Sequence, residues 1–361
     1  MSLNHETVMS LLKTVKEPEL GRDIVSLEMV RNLEIRGNDI FLTVVLTTPA
    51  CPLKETIKNE IDQTLKRGFP QIGKIEVAWG AEVKSRRIPS QDEKRIPGVK
   101  NVIAVGSGKG GVGKSTVAVN LALALQSEGA SVGLLDADIY GPSIPIMFGI
   151  QEGEKPKIVG NNRIEPLERF GLKLMSMGFL LPPNEAVIWR GPMLGKMLQQ
   201  FLEQVEWGGL DYLVVDLPPG TGDVQLSLAQ LIPLSGAVVV TTPQDVALAD
   251  VKRAIKMFQV TNVPVLGLVE NMSWFECPGC KTRHEVFHKG ASGRYETLGL
   301  PFLGEIPLET ITSESGDDGR PIVARDPSAA QSKRFIEMAR QVAAHQSVSN
   351  FQGELELPSL H

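Results

Sequence analysis

Cysteine is nearly absent: the 361 residues hold three, at positions 51, 277 and 280. An odd, sparse set in so long a chain argues against a disulfide framework and shifts attention to where each thiol stands. Long apolar runs are missing too. No stretch approaches the roughly 18 continuous apolar residues that would span a bilayer. The opening residues Met1 to Glu6 lack a basic region followed by an apolar core. The expectation is a cytoplasmic protein without a membrane partner. Positive charge is not in excess either: 37 basic against 42 acidic residues leave a net charge of -5, which gives no global footprint for nucleic acid. Internal repeats and low-complexity tracts are also lacking. What the chain has is length, enough for two domains and a full core.

It also has Gly108-Lys109-Gly110-Gly111-Val112-Gly113-Lys114-Ser115-Thr116, which fits the phosphate-cradling pattern G-x-x-x-x-G-K-[ST]. Backbone N–H groups between small glycines can wrap phosphates, Lys114 can reach the β- and γ-phosphates, and the Ser115 hydroxyl can ligate Mg²⁺. Its context agrees: a β-branched run over 99–105 reads as a buried strand, and an Ala- and Leu-rich stretch over 115–128 reads as a helix. Lys109 is an extra cation that ordinary phosphate loops do not need. With it the loop resembles the deviant Walker A loop of the MinD/ParA/nitrogenase-iron-protein group. That resemblance implies that Lys109 reaches across a dimer to the partner's nucleotide.

Organisation follows from periodicity and breakers. Over 1–85 a helix at 5–15, strands at 30–35 and 40–46 around a turn at 36–39, a helix striped by Leu53, Ile57, Ile61 and Leu65, and a strand at 74–77 make a small α+β (α-β-β-α-β) domain. Residues 86–98, basic and without apolar periodicity, read as a linker. Over 99–345, strands at 99–105, 131–135, 212–215, 237–241, 265–269 and 302–306 alternate with helices at 115–128, 248–258 and 328–344. This predicts an α/β P-loop NTPase, a mostly parallel sheet flanked by helices, with ligand loops at the carboxyl ends of the strands. Residues 346–361 read as a flexible acidic tail.

Two further elements belong beside the loop. Asp136-Ala137-Asp138 closes the second strand, where carboxylates can position Mg²⁺ through water and orient an attacking water. The MinD/ParA resemblance implies that Asp138 serves hydrolysis; Asp136 is read as a possible hydrogen-bond partner of the phosphate loop. Asp216, after four apolar residues and before Leu217-Pro218-Pro219-Gly220-Thr221-Gly222-Asp223, fits the role of holding Mg²⁺ from outside its inner shell. Gly220 would let an N–H approach the γ-phosphate. The same resemblance implies that Asn271 and Pro307 flank the adenine.

The remaining chemistry lies in Cys277-Pro278-Gly279-Cys280. A Cys-x-x-Cys turn is a chelate geometry, open to half of an iron-sulfur or zinc site or to a redox pair. Redox pairs sit at a helix start early in their own fold, and this one lies late in another. A metal site needs about four ligands, and a symmetric dimer would supply the missing pair; alternatively His284, with Cys51 or a water, completes a zinc site. Cys51 precedes Pro52, which suits the first turn of a helix, so the helix dipole would favour its thiolate as a transient cluster ligand; the competing reading is a packed small hydrophobe.

Taken together, the loop, Asp136 to Ser143, Asp216 to Asp223 and the Cys-x-x-Cys resemble the Mrp/ApbC family of iron-sulfur cluster carriers. Glu17-Pro18-Glu19-Leu20 and Thr47-Thr48-Pro49-Ala50-Cys51-Pro52 resemble the small iron-sulfur-assembly domain often fused to it. The resemblance implies a homodimeric ATPase that uses ATP and Mg²⁺, binds a [4Fe-4S] cluster through Cys277 and Cys280 of both subunits, and passes it from the cluster assembly machinery to apoproteins. The alternatives are a MinD/ParA-type positioning ATPase without metal, and a zinc-stabilised dimeric NTPase.

Overall fold

The computed structural model describes residues 2–85, 96–180, 191–277, 279–287 and 295–355. Its first domain runs α1 (His5–Leu12), β1 (Val30–Arg36), β2 (Asp39–Leu46), α2 (Lys54–Gly68) and β3 (Ile75–Ala81). Asn4 caps α1 by accepting the Thr7 amide at 2.9 Å. The helix stops at Leu12, short of the expected 15, because the Val15 amide turns back to Leu12 and its carbonyl takes the Ile24 amide. Ile57, Ile61 and Leu65 of α2 are fully buried, as the stripe predicts. β1 and β2 pair antiparallel, while β3 lies parallel to β2 and extends past the expected end to Ala81.

The second domain continues with β4 (Val99–Ser107), α3 (Lys114–Ser127), β5 (Val132–Asp136), α4 (Ile144–Met147), β6 (Lys157–Val159), β7 (Arg163–Glu165), β8 (Leu167–Arg169) and β9 (Leu172–Ser176). Then come α5 (Gly191–Gln204), β10 (Leu210–Asp216), α6 (Asp223–Leu231), β11 (Gly236–Thr241), α7 (Asp245–Val260) and β12 (Val265–Asn271). The short hairpin β13 (Phe275–Glu276) and β14 (Arg283–His284) precedes β15 (Phe302–Ile306), α8 (Thr310–Asp317), α9 (Ile322–Arg325) and α10 (Ala330–Leu355). The main sheet has the order β15-β12-β11-β4-β10-β5-β9-β8. Among the described residues of this sheet only the β8 to β9 pairing is antiparallel.

This order places the chemistry. β10 lies between β4 and β5, with Asp216 in register with Val105 on one side and Asp136 on the other. The phosphate loop after β4 and the two acidic strand ends therefore converge at one carboxyl edge, neighbouring strands being about 4.8 Å apart. Helix α3 is buried on nearly every face, between the sheet and α10, and Arg340 grips Glu128 at its end through hydrogen bonds of 2.8 and 3.0 Å.

α10 corrects the expectation of a flexible tail from 346. The helix runs on to Leu355, burying Gln346, Ser347 and Asn350. Asn350 donates to the Lys84 carbonyl at 2.8 Å and to Asn101 Oδ1 at 3.0 Å, and Phe351 packs against the core of the first domain. Residues 356–361 lie outside the described residues, as does most of the expected linker, 86–95. The first domain also docks through the Tyr212 hydroxyl, which meets Thr48 Oγ1 at 3.0 Å, and through Ala50 and Val83, which join the ATPase core. Tyr212 pairs with Asn101 and Val132 near the amino ends of the strands. The first domain thus sits at the edge opposite the phosphate loop.

Candidate functional site

Close approach of other elements explains the glycines of the loop. A Cβ on Gly108 would lie 2.3 Å from the Asp250 carbonyl oxygen, and one on Gly113 would lie 2.2 Å from Asn271 Nδ2. Gly113 also takes φ 75°, the left-handed region that glycine enters at least cost, as it turns the chain into α3. Lys114, 6% exposed, sends Nζ to Asp216 Oδ1 at 2.6 Å and to Asp138 Oδ2 at 3.5 Å. Ser115 donates its hydroxyl to Asp216 Oδ2 at 2.6 Å. Burial pushes the Asp216 carboxyl up, while Lys114 and Ser115 pull the other way.

Asp136 has a different occupation from the one expected. It is fully buried and takes the Ser176 hydroxyl at 2.9 Å, the Asp138 amide at 3.1 Å and the Ile144 amide at 3.4 Å. It therefore organises the loop that carries Asp138 and not the phosphate loop. Burial, then the neighbouring Asp216 charge, push its carboxyl up to about 8. The Gly220 amide, expected to face a phosphate, donates instead to the Ser107 carbonyl at 3.0 Å.

Beside these groups opens a cleft of about 390 Å³, lined by Lys109, Gly110, Gly111, Gly113, Lys114, Ser115, Thr116 and Asp138. Its far wall is Met147 of α4 with Thr312, Ser313 and Asp317 of α8. Sequence reasoning missed that wall, for an eight-residue helix without a motif carries no local signal. Oxygen donors on Ser115, Asp138 and Asp216 are of the kind that Mg²⁺ prefers, so the residues fit that ion. Asn271 and Pro307 do not line the cleft. Asn271 is buried and donates Nδ2 to the Val112 carbonyl at 2.9 Å, bracing the phosphate loop from behind. The Pro307 carbonyl accepts from Gln331 Nε2 at 3.1 Å.

The Cys-x-x-Cys turn stands at the same end of the sheet, six residues past the end of β12 and held by the β13–β14 hairpin. The Cys277 amide donates to the Thr282 carbonyl at 3.0 Å, and the Lys281 amide donates to the Cys277 carbonyl at 2.9 Å. Cys277 is half-buried and Cys280 exposed. Cys280 Sγ lies 3.2 Å from Thr282 Oγ1, and that hydrogen bond, ahead of those from the Thr282 backbone and Cys277, brings the thiol down to about 7. Among the described residues no three His, Cys, Asp or Glu side chains gather as one chain's metal site. The expected set of His284 with Cys51 is not formed, since Cys51 packs on the first domain's core at the opposite edge.

The expectation of a dipole-favoured Cys51 thiolate also fails. α2 begins at Lys54 with Leu53 at its cap, so Pro52 stands outside the helix. Burial outweighs the amides of Leu53 and Lys54 and, with Glu19 and Glu17 nearby, pushes the thiol up to about 11. No helix among the described residues is long and apolar enough to cross a membrane.

Known proteins share this architecture. Residues 98–343 match the family described as NUBPL iron-transfer P-loop NTPase, and residues 5–79 match the iron-sulfur cluster assembly protein family. An iron-sulfur cluster carrier protein of Synechocystis is 47% identical over 353 residues, 96% of this chain and 99% of that one. Mouse iron-sulfur cluster transfer protein NUBPL is 50% identical over 264 residues, 72% of this chain and 82% of its own. Among solved structures, a nucleotide-binding protein of Archaeoglobus fulgidus in complex with ADP is 43% identical, with a TM-score of 0.56 over 65% of this chain and 93% of its own. The cell division ATPase MinD of Pyrococcus furiosus, 21% identical with a TM-score of 0.52 over 67% of this chain and 98% of its own, shares the fold. The chain belongs to the NUBPL iron-transfer P-loop NTPase family, with an iron-sulfur cluster assembly domain at its amino-terminal side.

Proposed function

We propose that the protein is an ATP-dependent carrier that holds a [4Fe-4S] cluster between Cys277 and Cys280 of two copies and hands it to apoproteins. The observation that carries this reading is the turn of two thiols, one half-buried and one exposed, around which no three His, Cys, Asp or Glu side chains of the described residues gather as a metal site. Thiolates are the ligands such clusters take, and a two-fold axis brings two such turns to four sulfurs. The carrier and transfer names of the relatives agree with it.

At the nucleotide end, Lys114 now neutralises Asp216 and Asp138. An arriving triphosphate competes for that ammonium, and Lys114 swings to the β- and γ-oxygens. Asp216 keeps the Ser115 hydroxyl oriented, leaving its oxygen for Mg²⁺, which supplies charge neutralisation at the phosphates when bound. Asp138, freed of its lysine, orients the attacking water. Lys109 of each copy reaches the other's nucleotide, so hydrolysis and the cluster share one dimer.

Of the alternatives, a positioning ATPase would need a free amphipathic helix or a basic surface. The last helix is instead engaged by both domains. The test is handover in the absence of air. Cluster-loaded protein is mixed with a small apoprotein whose activity returns on receiving a [4Fe-4S] cluster, with and without Mg²⁺ and ATP. Nucleotide should change the rate for the native chain and not for Lys114→Ala; equal rates in the native chain contradict ATP-dependent carriage.

A further inference from the structure

The phosphate loop and the cysteine turn are joined by one short segment, residues 271–277, and nearly every step of it is bonded. At its start Asn271 donates to the Val112 carbonyl at 2.9 Å. That carbonyl and the Gly113 N–H belong to one rigid peptide plane. Turning the Gly113 N–H onto a phosphate therefore rotates the acceptor that Asn271 holds. The contact has no slack, since even a Cβ on Gly113 would lie 2.2 Å from Asn271 Nδ2.

Past Asn271 the chain bends sharply at Met272, whose φ of 56° is a left-handed conformation unusual for a residue with a side chain. Ser273 is fully buried, its amide donating to the Ile306 carbonyl at 3.0 Å, and the Trp274 carbonyl accepts the Leu308 amide at 2.7 Å. Trp274 then grips both strands of the cysteine hairpin. It leads covalently into β13, and from β14 the Arg283 guanidinium lies 3.8 Å from its ring centroid, with Arg334 of α10 at 4.8 Å. Such cation–π contacts hold a flexible side chain in one place. From Asn271 to the hairpin the segment is therefore a continuous run of bonded contacts.

We propose that residues 271–274 are the relay by which occupancy of the phosphate loop changes the presentation of Cys277 and Cys280, with Asn271 as its sensing end and the Arg283–Trp274 stack as its output. The relay rests on the carrier reading for its purpose, but its operation needs no cluster. Asn271 and Arg283 are positioning residues, acting through the loop and through the hairpin.

Alkylation of the full-length, cluster-free chain by iodoacetamide, followed peptide by peptide in a mass spectrometer, reads the relay directly. The native protein should show a change of at least about fivefold at Cys277 or Cys280 between the nucleotide-free and the Mg²⁺–ATPγS-saturated states, the lower end of ordinary coupling between sites. Cys51, at the opposite edge, should not respond. Arg283→Gln and Arg334→Gln alter exposed side chains away from the nucleotide. They should bind it with unchanged affinity, and in Arg283→Gln the ratio should fall toward one, with a smaller fall in Arg334→Gln. Asn271→Ala at saturating nucleotide should lose the ratio as well. A native ratio of one, an equal change at Cys51, or native ratios in both Arg283→Gln and Asn271→Ala would overturn the relay. Iron and sulfide content, measured separately, decides the carrier reading: a chain that takes up no cluster yet keeps the ratio leaves the relay standing.

Discussion

Lys114 Nζ lies 2.6 Å from Asp216 Oδ1, and the two side chains are 6% and 0% exposed. The cation expected to hold phosphate pairs with the acid expected to organise Mg²⁺. The pair keeps two buried charges from standing alone, since either one unpartnered would be costly. It also sets what nucleotide must displace.

Lys114→Ala should therefore do two things. It removes a charge-assisted contact to the phosphates, weakening ATP binding by about 2–3 kcal/mol, roughly 30- to 150-fold. It also strands Asp216, lowering nucleotide-free stability by about 3–5 kcal/mol. Nucleotide titration and urea unfolding measure the two separately. Lys114→Ala together with Asp216→Asn should recover part of the stability and none of the affinity.

Asp136 predicts a pH dependence with a definite sign. Its folded pKa of about 8 stands above the ordinary aspartate value of 3.8, so the folded state binds the extra proton. Its contribution is most favourable below about pH 4 and is lost as pH rises through 8. Urea unfolding from pH 5 to 8 should show a downward slope for the native chain that flattens in Asp136→Asn, whatever that variant's absolute stability.

Thr282→Val should slow alkylation of Cys280 near pH 7. The Thr282 hydroxyl is the leading cause of the lowered Cys280 pKa, and only the thiolate reacts. The midpoint of the rate against pH, near 7 in the native chain, should move upward. An unchanged midpoint would mean that the hydroxyl does not stabilise the thiolate.

Truncation after Ala344 should destabilise the protein by about 2–5 kcal/mol, since it deletes several buried hydrogen bonds together with apolar contact. The bonds lost include those of Asn350 to Lys84 and Asn101 and of His345 to Leu266. A disordered tail would leave thermal unfolding unchanged.

The loop, its flanking strand and helix, and both acidic strand ends were legible because glycine turns, β-branched runs and strand-end carboxylates act over a few residues. β6 to β9 escaped: three of them are three residues long, too short for any period to show. Reading 346–355 as part of a tail failed for another reason. Gln346 and Asn350 look solvent-seeking in sequence, but they are buried here because distant polar groups of Ser235, Lys84 and Asn101 meet them. Asn271 bonds a carbonyl 159 residues away in the sequence. Tertiary partners of that kind leave no mark on local pattern. Cys51 is the same lesson in electrostatics, with burial outweighing the helix terminus beside it.

The most direct measurement is the metal content and mass of the protein reconstituted anaerobically with iron and sulfide and challenged with zinc. The account predicts a dimer carrying about two irons and two sulfides per chain, the share of one four-iron cluster held between two copies. Cys277→Ala and Cys280→Ala should hold none while still binding nucleotide. A Cys277→Ala protein with a normal cluster, or a native protein that takes up zinc alone, would contradict it.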